Sequence, residues 1–508
     1  MQQARSGRLL SDLLADAGIN PGLAGVRAQV SITAIDFDSH AVTPGSLFVA
    51  ITGLRSDGHR FCGDAVARGA VAVVAERVPD PPIDASVPVI LVPDSRLALS
   101  ALADGFAGHP SAHLCVAGIT GTDGKTTTAT LLWHAWRAAG IAAASITTVD
   151  RRTPDGVTTN PSRQTTPEAP ELQAELARIR DLGCTHVALE TSSHGLEMHR
   201  ADDVAFRAAV FTRITTEHLE LHGTREAYLA AKARLLERVS PRADGIAILD
   251  AGDPFGFPRL SAIPVATRLT YTDAEDVRAD LRARDVVPSP AGVRFTAETP
   301  WGTVPIALRL AGSFNVRNAL AALACACVTG ADLSSSVRGL EAADVVTGRM
   351  ERIDLGQPFE VVVDYAHTTD ALETVLHELR RTTAGRVWAV FGSAGERDVE
   401  KRAAMGAVAA RLADVSVITD EDPRDEDRQS ILDQIAAGAI AAGGRLGENV
   451  LVIPDRAEAI DYAVSRAAAG DTVLCAGKGH EKTIETAGGA LPWNERAVAS
   501  AAIQRRIS

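Results

Sequence analysis

Long apolar runs are missing from this 508-residue chain. No window approaches the ~18 consecutive apolar residues of a membrane span, and the first residues hold no continuous apolar segment of the signal-peptide kind. Excess positive charge is missing too. Lys and Arg total 51 against 64 Asp and Glu, a net charge of −13, and no basic run stands out. That balance argues against nucleic acid or a membrane surface as partner. Cysteines are few, 6 in all. Cys62, Cys115, Cys184, Cys325, Cys327 and Cys475 lie in apolar contexts without metal-ligand spacing, which fits a reduced, cytoplasmic protein.

What is present is ordinary globular composition, 46% hydrophobic and 23% charged, in a chain too long for one core. A prior of ~150 residues per domain suggests about three domains. The most informative stretch is Cys115 to Thr128. An apolar run from Leu114 to Ile119 feeds a turn holding Gly121 and Gly124, and a helix-compatible segment starts at Lys125. Glycines let backbone N–H groups approach an anion, the helix N-terminus adds partial positive charge and Lys125 a full one. A hydroxyl of Thr126 or Thr127 can reach magnesium. The strict phosphate-loop pattern wants a glycine where Ile119 stands; Gly118 and Gly121 bracket that position. The stretch points to a nucleoside triphosphate without fixing the reaction.

Before this loop, Ile32 to Asp36, Leu47 to Ile51 and Ala70 to Ala75 read as strands of a small α/β unit, with turns at Thr43-Pro-Gly45 and Asp57-Gly58. After it, His186 to Glu190 reads as a buried strand ending in an acid, where an ATPase places a magnesium ligand. Glu217-His-Leu-Glu220 is a possible metal cluster or a solvated loop, and Lys232 sits unremarkably on a helix. Asn315 or Asn318 stands where it would cap the helix Asn315 to Thr329 or reach a ligand. Val346 to Arg352 reads as the link to a third region.

In that region strands and helices alternate, which implies a parallel sheet with ligand groups on the loops after the strands. Those loops hold Asp364-Tyr-Ala-His367, Gly392 to Asp398 with Arg397, Asp420-Glu-Asp-Pro-Arg424, and Gly477-Lys-Gly-His-Glu481.

With Gly121-Thr-Asp-Gly-Lys-Thr126, Glu190-Thr-Ser-Ser-His194, Gly348-Arg-Met-Glu351 and these loops, the chain resembles the ATP-dependent Mur ligases of peptidoglycan synthesis over nearly its whole length. The family's phosphate loop also lacks the strict first glycine. The resemblance implies an α/β fold of three domains: 1–98 for a uridine nucleotide, 99–346 as a central phosphate-loop ATPase with a mostly parallel sheet, and 347–508 as a Rossmann-like domain for the amino acid. It implies that Gly121, Thr122, Asp123, Gly124, Lys125, Thr126, Thr127, Asn315, Arg349, Asp364 and His367 serve ATP. Phe37, Ser39, Leu54, Arg55 and Ser56, with Thr165, Thr166, Ser192, Met198 and Arg200, would hold a UDP-muramoyl dipeptide. Arg397, Glu421, Asp422, Pro423, Arg424, Gly477 and Glu481 would hold the incoming amino acid. Lys125, Glu190, His218 and Lys232 would be catalytic. Lys232 matches a lysine that the family carbamylates with CO2, so that Thr126, Glu190, His218 and Lys232 would bind magnesium, with two ions expected. The protein is expected to be a monomer acting on small molecules.

The reaction so implied is the addition of a diamino acid to the D-glutamyl γ-carboxylate of UDP-N-acetylmuramoyl-L-alanyl-D-glutamate through an acyl phosphate. Where diaminopimelate-adding relatives read Asp-Asn-Pro-Arg, this chain reads Glu421-Asp-Pro-Arg424. Arg424 with Arg397 suits the extra carboxylate of meso-diaminopimelate, whereas Asp422 suits an ammonium, as in lysine or ornithine. The first is favoured. Another Mur ligase, a folylpolyglutamate synthetase-like ligase and a catalytically silent nucleotide-binding partner are the alternatives. A phosphate-loop GTPase is disfavoured because the guanine-reading Asn-Lys-x-Asp motif is absent.

Overall fold

The apolar run before the phosphate loop forms the strand Cys115–Thr120 in the middle of an 11-stranded sheet. In the computed structural model, which describes residues 7–19, 29–53, 56–162, 164–215, 217–343 and 346–507, its side chains alternate between two cores. Val116 enters one, packed with Leu189 and Leu235, and Ala117 and Ile119 enter the other, packed with Leu131 and Val316. Both cores are needed because helices cover the sheet on both faces. From Ala143–Ile146 to Leu281–Ser289 neighbouring strands run parallel. Antiparallel strands finish both edges: Asp150–Thr153 with Gly156–Thr159 on one side, Gly292–Thr299 with Gly302–Leu308 on the other.

The first region forms a four-stranded parallel sheet of Ala34–Asp36, Ser46–Val49, Ala72–Ala75 and Val89–Leu91. The helix Ser95–Ala107 belongs with it. Asp94 accepts the N–H groups of Arg96 and Leu97 at its start, Gly108 closes it at φ 73°, and Leu99 and Leu102 pack into the first core. This helix runs through position 98 without a break.

The third region builds a six-stranded sheet in the order Glu351–Ile353, Glu360–Asp364, Thr472–Ala476, Val387–Phe391, Val415–Ile418, Val450–Val452. Only the first of these pairs is antiparallel. Alternating residues again feed two cores, Val362 and Leu474 on one face, Val361, Val363 and Val473 on the other. The α/β class expected from the strand–helix alternation is what the chain adopts. One local expectation is corrected: neither Asn315 nor Asn318 caps a helix. The helix Phe314–Val328 begins after Ser313, and both asparagines lie inside it.

Candidate active site

Two glycines shape the phosphate loop. Gly121 has φ 153°, and a Cβ there would lie 1.8 Å from Thr212 Oγ1; Gly124 has φ 85°, and its Cβ would lie 2.2 Å from Asn318 Oδ1. The missing first glycine also has its reason. Ile119 is still strand, fully buried and paired across to Glu190 and Val210, so the turn begins only after Thr120. The loop is pinned from the neighbouring strand end. Thr212 Oγ1 donates to Asp123 O at 2.6 Å, Thr122 N to Arg213 O at 2.8 Å, and Thr215 N to Thr122 Oγ1 at 2.9 Å.

Under the loop, Thr126 Oγ1 donates to Glu190 Oε2 at 2.9 Å, and the same oxygen accepts Thr148 N at 2.8 Å. Glu190 is buried, at 1% exposure, at the carboxyl end of its strand. Lys125 reaches back to Gly121 O and Thr122 O, at 3.1 and 2.7 Å. Lys232 is also 1% exposed and donates to Gly121 O at 2.7 Å, with its amine 4.4 Å from the centre of the Tyr228 ring. Burial drives its pKa well below the ordinary lysine value, and the charge of Lys125 pushes the same way. His218 packs edge-on against His194, ring centres 4.4 Å apart. The four expected metal ligands therefore form a Thr126–Glu190 pair, with Lys232 and His218 held by other contacts. No group of three His, Cys, Asp or Glu poised for a metal occurs among the described residues. A hydroxyl beside a carboxylate still fits magnesium, which takes few protein ligands and completes its shell with phosphate and water oxygens.

Loops of the third sheet reach this point. Arg349 Nη2 lies 3.5 Å from Thr126 Oγ1, and its guanidinium stacks on Tyr365 at 4.7 Å. His367 Nε2 lies 3.5 Å from Glu217 Oε1. Burial lowers the His367 pKa, but the Glu217 carboxylate outweighs it and the net direction is up. Burial likewise opposes the charge on Glu217, yet His218, His367 and Lys125 together hold its pKa well below the carboxylate range. Asp364 accepts Met350 N and Ala366 N, at 2.7 and 2.8 Å, and so fixes the turn that carries Arg349. Asn315 donates to Ala311 O at 2.7 Å and accepts from Asn318 at 2.9 Å, beside Gly124.

The residues expected to hold a muramoyl dipeptide fall into two places. Thr165, Thr166, Ser192, Met198 and Arg200 are gathered: Thr165 Oγ1 accepts from Thr148, Ser192 N donates to Thr166 Oγ1 at 2.9 Å, and Arg200 pairs with Glu168 at 2.8 Å while touching the Met198 sulfur. Phe37, Ser39 and Ser56 lie on the first unit, Ser39 buried and Ser56 exposed. Leu54 and Arg55 lie outside the described residues.

The loops expected to hold the amino acid are joined by a residue that composition alone did not single out. Lys478, fully buried, pairs with Asp422 at 2.7 Å and Glu481 at 2.5 Å. Burial pulls its pKa down, but Glu481 and Asp422 overcome this and raise it. Glu481 is raised as well, by burial and by the crowding of Asp422 and Glu421, because several acids share one cation. Asp422, whose charge would suit a substrate ammonium, is engaged internally through one oxygen: Oδ1 accepts from Lys478 and from Glu485 N. Arg424 adopts φ 54° and bonds through its backbone to Glu485 O, with Nη1 3.4 Å from Gly395 O. Gly477 backs directly onto the Glu421 carboxylate, and Arg397 is exposed on its loop. Arg456, another unforeseen residue, grips the buried Glu495 and donates to Asp420 O and Ala476 O, tying two of these loops to the last helix. Nothing in the sequence around Arg456 distinguishes it from a surface arginine.

A phosphate loop at the head of one parallel sheet, overhung by the loops of a second, defines a nucleotide-dependent enzyme of the phosphate-loop class. The chain belongs to the Mur ligase family. Residues 31–107 match the Mur ligase family catalytic domain, 119–326 the Mur ligase middle domain and 348–479 the Mur ligase glutamate ligase domain. It is 48% identical to a UDP-N-acetylmuramyl-tripeptide synthetase of Roseiflexus sp. (strain RS-1), over 96% of this chain and 95% of that protein. It is 41% identical to a UDP-N-acetylmuramoyl-L-alanyl-D-glutamate--2,6-diaminopimelate ligase of Geobacillus thermodenitrificans, over 94% of this chain and 95% of that one. A solved structure of a UDP-N-acetylmuramoyl-L-alanyl-D-glutamate--2,6-diaminopimelate ligase superposes with TM-score 0.67 at 29% identity, covering 99% of this chain and 100% of that chain.

Proposed function

We propose that the chain is an ATP-dependent amide ligase of peptidoglycan precursor synthesis, a tripeptide synthetase that joins a diamino acid to the D-glutamyl γ-carboxylate of UDP-N-acetylmuramoyl-L-alanyl-D-glutamate. The reading is carried by 48% identity to a tripeptide synthetase over nearly the full length of both chains. The first unit, with Phe37, Ser39 and Ser56, takes the uridine end, the central unit takes ATP, and the third takes the amino acid. Thr165, Thr166, Ser192 and Arg200 hold the sugar-peptide part where it approaches the phosphate loop.

The backbone N–H groups around Gly121 and Gly124, with Lys125, hold the ATP phosphates, and Arg349 adds a second charge from the third sheet. The γ-carboxylate attacks the γ-phosphorus, ADP leaves and an acyl phosphate forms. The amine of the diamino acid attacks the acyl carbon, and the tetrahedral intermediate collapses with loss of phosphate. Positioning and charge neutralisation supply the rate, and no protein nucleophile is needed. Magnesium bound by Thr126 and Glu190, by a carbamate formed from CO2 on Lys232, and by His218 would neutralise phosphate charge. Burial lowers the Lys232 pKa and so favours the uncharged amine, the form that combines with CO2. Arg424 with Arg397 favours meso-diaminopimelate through its far carboxylate. The protein works as a monomer in the cytoplasm.

The test is phosphate release from ATP with UDP-muramoyl dipeptide and, in turn, meso-diaminopimelate, L-lysine and L-ornithine. Release with at least one is expected; release with none overturns the reading.

A further inference from the structure

Asp422 stands where a neutral asparagine would leave the amino-acid pocket less acidic, yet its charge does not reach the pocket. Lys478 Nζ lies 2.7 Å from Asp422 Oδ1 and 2.5 Å from Glu481 Oε2, with no exposed surface of its own. Asp422 Oδ1 also accepts Glu485 N at 2.9 Å, and Glu481 Oε1 lies 3.3 Å from the Tyr365 hydroxyl. The lysine is thus an internal counter-ion shared by two carboxylates on two loops. Beside it Glu421, 5% exposed, keeps Oε2 without a hydrogen-bond partner, and Gly477 lies against that carboxylate. One buried cation therefore separates a pocket balanced enough to admit a second substrate carboxylate near Arg424 from one dominated by acids.

We propose that Lys478 is the positioning residue that sets the charge of the amino-acid pocket, and with it the preference between a diamino acid carrying a distal carboxylate and one ending in a bare ammonium. This rests on the diamino-acid reading above. It differs from a direct contact: Lys478 acts through Asp422 and Glu481.

The experiment compares kcat/KM for meso-diaminopimelate and L-lysine, by phosphate release at saturating ATP and UDP-muramoyl dipeptide, in wild type, Lys478→Met, Asp422→Asn and the double variant. Lys478→Met leaves the acids uncompensated, so the ratio of meso-diaminopimelate to lysine should fall about tenfold. That is the effect of one unit charge removed within ~10 Å of the substrate at partial screening. Asp422→Asn should move the ratio the other way, and the double variant should return it to within about threefold of wild type, since the two charge changes cancel. KM for ATP should hold in all four. A merely structural lysine would lower activity with both amino acids alike and leave the ratio still. An active wild type whose ratio moves in neither single variant overturns the proposal. If Lys478→Met fails to fold, an Asp422→Asn ratio unchanged or lowered overturns it on its own. A wild type inactive with meso-diaminopimelate, lysine and ornithine alike would remove the functional reading itself, whereas one active with ornithine alone would overturn this inference and leave that reading standing.

Discussion

Lys125 spends its charge on two carbonyls of its own loop and makes no contact that the core requires. Replacing it with alanine should therefore leave thermal stability within about 2 °C of wild type, while phosphate release falls by about 10²–10³, the cost of losing one preorganised charge at a transferring phosphoryl group. Unchanged release would show that the loop does not hold the reacting phosphate. Lys232 separates the same two properties more sharply. A buried amine is costly to keep, so Lys232→Met should be stability-neutral within about 1 kcal/mol in thermal or denaturant melts, despite the lost bond to Gly121 O. Its activity should nevertheless drop at least about a hundredfold if the amine carries a carbamate that serves the phosphates. Full activity in Lys232→Met would remove that role. Residue spacing alone did not mark Lys232, which only the family resemblance singled out, because a lysine on a helix looks the same whether it faces solvent or lies under a phosphate loop. Lys125, by contrast, was legible, since glycines and threonines at fixed offsets have a backbone reason to be there.

Between elements, charge networks hold the loops proposed to take the amino acid, and these were the least legible part of the chain. Arg402, fully buried on the helix Glu400–Leu412, donates to both oxygens of Glu426 at 2.6 and 2.8 Å and to Gln434 on the helix Arg428–Ala441. The hydrogen bonds from Arg402 pull the Glu426 pKa down to about 2 from an ordinary 4.5. A depressed carboxylate stabilises the fold fully above its unfolded pKa and loses that contribution as pH falls through the folded one. Glu426→Gln should thus cost about 1–2 kcal/mol at neutral pH, discounted for the partial exposure of Glu426. The difference in melting temperature between variant and wild type should shrink as pH falls from 4.5 toward about 2. A pH-independent difference would mean that the pair is not what the glutamine breaks. The strands these networks brace were readable because runs such as Val387–Phe391 are apolar on both faces. The edge meander from Leu281 to Leu308 was not read. Its strands mix charged and apolar residues and contain Pro288 and Pro305, which weakens every local signal of an edge strand.

At the scale of the molecule, the phosphate loop and the amino-acid loops meet only because the third sheet leans over the second. Sequence clusters pointed to two sets of candidate ligand groups, but their approach depends on contacts between residues far apart in the chain. One of these lies away from the reacting groups. Glu378, on the helix Thr369–Thr382, accepts Ser313 N at 2.8 Å and the Ser313 hydroxyl at 2.5 Å, just before the helix Phe314–Val328, and Arg381 braces the same carboxylate at 3.1 Å. It serves as the N-terminal acceptor that the helix does not supply for itself. Arg349 with Thr126, His367 with Glu217 and Lys482 with Thr159 also cross the junction, each long or exposed, and Ala311 and Phe314 pack against the core of the third region. Glu378→Ala should therefore weaken the closed arrangement by about 1–3 kcal/mol, the cost of a charged acceptor lost from a part-buried donor pair. Small-angle scattering of the ligand-free variant should then show a larger radius of gyration than wild type, and a non-hydrolysable ATP analogue with the UDP-muramoyl dipeptide should bring it back toward the wild-type value. Superimposable profiles for both proteins, with and without ligands, would mean that the third sheet is fixed in place and that the Ser313–Glu378 contact caps a helix without governing closure.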